Sequence, residues 1–126
     1  MIDRLIGVYH ANGSLRGELA YLVGKVVGRS HCALCDITHG TVRRRPSFDA
    51  CVAALPVPFD LVHLDERTEE VAVASEGRTP CVLAHTDQGL VLLLGPEDLA
   101  ACAGDPDRLR TAIEGAADAA SLTWPI

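Results

Sequence analysis

Ser30 to Thr41, SHCALCDITHGT, is the stretch of this chain richest in chemistry. Cys32 and Cys35 form a C-x-x-C pair, His31 stands directly before it and His39 follows within the same nine residues. Thiols and imidazoles at this spacing suit two kinds of work. The first is thiol–disulfide redox. Two residues between cysteines allow a disulfide to close in a tight turn, so that one thiol attacks and the other resolves the mixed disulfide. Cys32 is the expected attacking thiol and Cys35 the resolving one. The attacking form is the thiolate, so the thiol pKa must fall below its free value of about 8.5. His31, His39 and the run Arg43–Arg44–Arg45 can supply positive potential, while Asp36 pushes the other way. This reading needs no cofactor, and its partner is a thiol-bearing protein or a small-molecule thiol.

The second is metal binding. Cys32, Cys35 and His39 can converge on zinc, with His31 or a distant residue as fourth ligand. Copper(I) suits the thiolates as well. No second C-x-x-C is present to complete a two-knuckle site, so His63, His85, Cys51 or Cys81 would have to contribute through the fold. A third possibility is that these cysteines are small buried residues, since cysteine is among the most buried types. The chain would then be a non-catalytic accessory protein that presents a surface.

Other candidates carry less. Cys51 and Cys102 lie on apolar faces and are expected in the core. Cys81 opens an apolar strand directly after Pro80, which gives it a stronger claim on the site. His10 closes the first expected strand, where α/β folds tend to place functional groups. His63 and His85 fall within strands and are expected to be structural. Asn12–Gly13–Ser14 precedes a helix start but lacks the glycines of a nucleotide loop, and no P-loop, dinucleotide fingerprint or nucleophile elbow is found.

The elements that must position these residues follow from length and pattern. The chain has 126 residues, which fits one domain over residues 1–126. Hydrophobic residues make up 48% and aromatics only 4%, so the core must be built from Leu, Val, Ala and Ile. A net charge of −6 argues against a nucleic-acid partner. No apolar run approaches the roughly 20 residues of a membrane span, and the N-terminus does not read as a secretory signal. A cytosolic location is expected, in which the five cysteines are mostly thiols. Many Ala, Arg, Gly, Val and Leu against a single Lys suggest a GC-rich bacterial source.

Leu5 to His10 reads as a strand. Leu15, Leu19, Leu22, Val23 and Val26 recur as one helical face between Ser14 and Gly28. Within the Cys/His stretch the backbone must turn or be helical for the two thiols to meet, because a strand sends residues of odd separation to opposite faces. Pro46 opens a helix with Phe48, Cys51, Val52 and Leu55 on one face. Phe59 to Leu64 reads as a strand, Asp65 to Glu70 as a charged connection and Val71 to Ala74 as a short strand. Cys81 to His85 and Leu90 to Leu94 form a hairpin over Thr86–Gly89. LVLLL at 90–94 is continuously apolar and is expected inside the sheet. Pro96 to Ala103 is a short helix. Asp105 caps a last one, with Leu109, Ala112, Ile113 and Ala116 buried.

Strand, helix, Cys/His segment, helix, strand, hairpin and helices make an α/β sandwich with a mixed sheet and flanking helices. Thr79–Pro80, a strand, a Gly-bearing turn, a strand and then a helix resemble the C-terminal half of thioredoxin-like proteins. In that family a cis proline opens the hairpin and faces the active-site loop, so the resemblance implies that role for Pro80. The family carries C-x-x-C between the first strand and the first helix. Here that position reads His10–Ala11–Asn12–Gly13–Ser14, and the pair comes after the first expected helix.

Overall fold

The computed structural model describes residues 1–10, Leu34, Ile37 and 46–125. Among these, a four-stranded mixed sheet runs in the order β2-β1-β3-β4. Its strands are β1 (Ile2–Val8), β2 (Phe59–Val62), β3 (Cys81–Thr86) and β4 (Gly89–Leu94). β2 pairs parallel to β1, β3 antiparallel to β1, and β4 antiparallel to β3. β1 lies between two neighbours and is covered on both faces, so Leu5, Ile6, Gly7 and Val8 are all buried in a row rather than alternating.

Helices α1 (Pro46–Ala53), α2 (Glu69–Ser75), α3 (Pro96–Ala101) and α4 (Pro106–Ala119) complete the described elements. Together with the sheet they make a mixed α/β fold. One sheet face carries the larger core, where Leu5 and Tyr9 of the β1 segment meet Phe48 of α1, Leu99 of α3 and Leu109, Ile113 and Ala117 of α4. Leu34 and Ile37, both helical, are fully buried in this same cluster. The other face carries a smaller cluster of Ile6, Val8, Cys81 and Leu83 under Val71 of α2. The tail closes back on the sheet: Ile2 N–H donates to the Thr123 carbonyl at 2.8 Å, and Trp124 packs on the larger core.

Local signals explain the elements. Pro46 starts α1 and turns Phe48 and Cys51 inward, as their spacing requires. Asp105 caps α4 by accepting from the Asp107 N–H at 3.0 Å, with Pro106 in the first turn. The β3–β4 hairpin turns over Asp87–Gln88, with Gly89 at φ 109°, a conformation that glycine adopts without steric cost.

Two expectations are corrected. Residues 71–74 are helical, not a strand. The Thr68 hydroxyl caps α2 by accepting from the Val71 N–H at 3.3 Å, Glu69 and Glu70 fill the first turn, and Val71 and Ser75 fall four apart on the buried side. The 65–70 connection is correspondingly shorter, since a 3-10 turn takes Leu64–Glu66. Among the described residues, β4 lies at an edge of the sheet, not inside it. The expected helix at 14–28 lies outside the described residues, as does the Cys/His stretch apart from Leu34 and Ile37.

Candidate functional site

At one end of the sheet β1 and β2 finish side by side and β3 begins between β1 and β4. The register sets this, because Val8 pairs with both Val62 and Cys81. The pairing runs one step past the strands, where the Tyr9 N–H donates to the Val62 carbonyl at 2.9 Å. Tyr9, His10, His63, Thr79, Pro80 and Cys81 therefore gather at this end. In α/β sheets the carboxyl ends of parallel strands are where ligands are met.

Two histidines here are held by their Nδ1 atoms. His10 Nδ1 lies 2.8 Å from the Thr79 hydroxyl, a bond between residues 69 apart in sequence. His63 Nδ1 lies 2.7 Å from a Glu66 carboxylate oxygen, which also accepts the His63 backbone N–H at 2.8 Å. These bonds from His63 hold the Glu66 carboxyl below its usual pKa, the backbone N–H contributing most. The His63 ring rests against Tyr9, with centroids 4.8 Å apart, and Tyr9 is buried. A carboxylate on Nδ1 fixes the ring and directs Nε2 away from Glu66. The spacing His63-x-x-Glu66 was present in the sequence as the local signal for this pair, whereas the His10–Thr79 contact has no local signal.

Thr79–Pro80 is a cis peptide, and Cys81 follows it. Cys81 is fully buried, and burial pushes its thiol up to about 11 against the partial opposition of Arg67 and Arg78. Arg67 is itself fixed, donating through Nε to the Leu64 carbonyl at 2.9 Å and through a terminal nitrogen to the Ser75 hydroxyl at 3.1 Å. Burial also raises the thiols of Cys51 and Cys102. Each donates a long bond to a carbonyl, to Pro106 and Asp98 respectively, both at 3.4 Å. These three cysteines are free thiols, and thiols held protonated are poor nucleophiles.

The residues that carried the chemistry in the sequence, Cys32, Cys35, His31 and His39, lie outside the described residues. Leu34 and Ile37, on either side of Cys35, are core residues. Among the described residues, no group of three or more His, Cys, Asp or Glu side chains is placed to hold a metal, so His63, His85, Cys51 and Cys81 form no such group with one another. His85 instead pairs with Asp3 of β1 at 2.7 Å, near the hairpin end of β3. No helix among them is long and apolar enough to cross a membrane. Compared with known proteins, the chain matches no family model, no curated protein and no solved structure.

Proposed function

We propose that this chain is a thioredoxin-like protein that exchanges thiols and disulfides through Cys32 and Cys35 in a reducing, cytosolic setting. The observation that carries the reading is the partition of the cysteines. Three of the five are buried, protonated thiols, which leaves the C-x-x-C pair as the reactive candidates. Two features add support. The described sheet is mixed, and its hairpin opens on Thr79–Pro80 against the end of β1, with His10 bonded to Thr79. Leu34, between the two cysteines in sequence, is itself fully buried in the larger core.

In the proposed step the Cys32 thiolate attacks a disulfide sulfur of a partner, the partner's S–S bond breaks, and a mixed disulfide forms. Cys35, as thiolate, then attacks Cys32. The partner leaves with both sulfurs reduced, and the pair on this chain is oxidised by two electrons. His31 and His39 in their cationic forms favour the thiolates.

Intact mass of protein purified without chelator, native and denatured, before and after reductant, tests the reading. A loss of two hydrogens that maps to Cys32–Cys35 and reverses with reductant is expected, with Cys51, Cys81 and Cys102 unlabelled by an alkylating agent until denaturation. A native mass excess of one zinc or copper that vanishes on denaturation would replace the redox reading with the metal one. Unreactive Cys32 and Cys35 would overturn both.

A further inference from the structure

A cavity of about 350 Å³ lies between the turn after α1, the last turns of α4 and the C-terminal tail. Small-molecule sites run from roughly 300 to 1,000 Å³. Leu55 and Pro56 form its apolar side, and Trp124 forms the side made by the tail. Trp124 is seated, not loose. The Leu122 N–H donates to the Ala117 carbonyl at 2.9 Å, the Thr123 carbonyl accepts from the Ile2 N–H at 2.8 Å, and Trp124 packs on the larger core. The α4 side is one stripe of residues four apart, Arg110, Glu114 and Asp118.

Charge along this stripe is not balanced. Arg110 Nε lies 3.0 Å from Glu114 Oε1, so the base and the first acid satisfy each other. Asp118 stands one turn further on, exposed, and its carboxylate has no hydrogen bond or ion pair among the described residues. It falls in the last turn of α4, which holds no basic residue and where the helix dipole is negative. An acid at that end is unfavourable to the helix unless a cation comes to it. The same cavity holds an indole, the aromatic side chain whose face attracts cations best.

We propose that this cavity binds a small organic ammonium ion, its head against Asp118 and the Trp124 ring and its carbon framework against Leu55 and Pro56. An anion would meet the unbalanced acid, the negative helix end and a chain of net charge −6. A hydrated inorganic cation would make no use of the apolar side. The site does not rest on the thiol-exchange reading.

Trp124 is the only tryptophan, so its fluorescence reports on the cavity directly. Choline titrated at constant ionic strength is expected to change the emission saturably, and sodium acetate to leave it unchanged. The uncharged analogue of choline, with a tert-butyl group in place of the trimethylammonium head, is expected to bind about threefold more weakly or worse. Asp118→Asn should weaken choline binding about three- to fivefold, while its thermal midpoint stays level or rises, because the acid removed opposes the helix dipole. Arg110→Gln, which frees Glu114, should tighten it. Both substitutions are at exposed positions, so neither removes a core contact. No saturable change with choline overturns the proposal, as does equal binding of the uncharged analogue. So does an Asp118→Asn protein that binds choline as wild type does, or a response to acetate in place of choline.

Discussion

Replacing Gly7 by alanine tests how tightly the core around Phe59, Leu61 and Leu34 is packed. Gly7 is in the central strand, with Leu61 as its partner in β2. A Cβ there would sit 2.9 Å from Leu61 Cδ2, 2.9 Å from Phe59 Cε1 and 3.3 Å from Leu34 Cδ2. Carbon pairs prefer about 3.5–4.0 Å, so two neighbours must each give roughly 0.6 Å. Leu61 is partly exposed and can rotate its end away. Phe59 cannot yield as readily, because its ring stands edge-on to buried Phe48, at 5.8 Å between centroids and 90° between planes. Overpacking of this kind costs about 1–3 kcal/mol. Removing a strand glycine returns about 0.5–1 kcal/mol of chain entropy. The net expectation is a loss of about 1–2 kcal/mol, read as a lower urea midpoint with an unchanged slope. Leu61→Ala should then cost less in the Gly7→Ala background than in wild type, by about 0.5 kcal/mol or more. Equal or greater stability of Gly7→Ala, or strict additivity with Leu61→Ala, would refute the crowding argument.

Two further predictions concern single groups. The Cys81 thiol titrates near 11 in the fold, against about 8.5 when unfolded, so above pH 8.5 the unfolded chain gives up a proton that the folded chain keeps. Its contribution is present in full below about pH 8.5 and is lost as pH rises toward 11, by roughly 3 kcal/mol at most. Urea midpoints measured from pH 8 to 11 should fall less steeply in Cys81→Ala, and equal slopes would sink the argument. Thr68→Ala removes the hydroxyl that caps α2 and should cost about 1 kcal/mol, while Thr68→Ser should restore most of it. Thermal melts of the two variants check this, and a Thr68→Ala protein as stable as wild type would show that packing alone holds the helix.

The elements legible in the sequence were those with a local start signal and a consistent period. Pro46 with Phe48 and Cys51, and Asp105–Pro106 with Leu109 and Ile113, each carry a cap or turn residue and a buried face together. α2 was misread because Val71–Ala72–Val73–Ala74 alternates as a strand does, while the decisive signal, Thr68 with two following acids, lay in a stretch taken as a connection. The place of β4 was misread for a different reason. A continuous apolar run was taken to mean a strand flanked on both sides; an outer strand, as β4 is among the described residues, with Leu90 and Leu92 packed on one core cluster and Leu93 and Leu94 on the other, has the same composition. In the candidate site, residue types were legible and meetings were not. His10 reaches Thr79 only because Val8 pairs with Cys81, which is a property of strand register and not of either neighbourhood in sequence.

Leu34, between Cys32 and Cys35 in sequence, belongs to the larger core, and a Cβ on Gly7 would approach it to 3.3 Å. A perturbation at Gly7 consequently reaches Leu34, while one at Val91, outside both core clusters, does not. If the proposed thiol exchange holds, the reactivity of Cys32 and Cys35 toward an alkylating agent should change in Gly7→Ala, which crowds Leu34, and stay as in wild type in Val91→Lys.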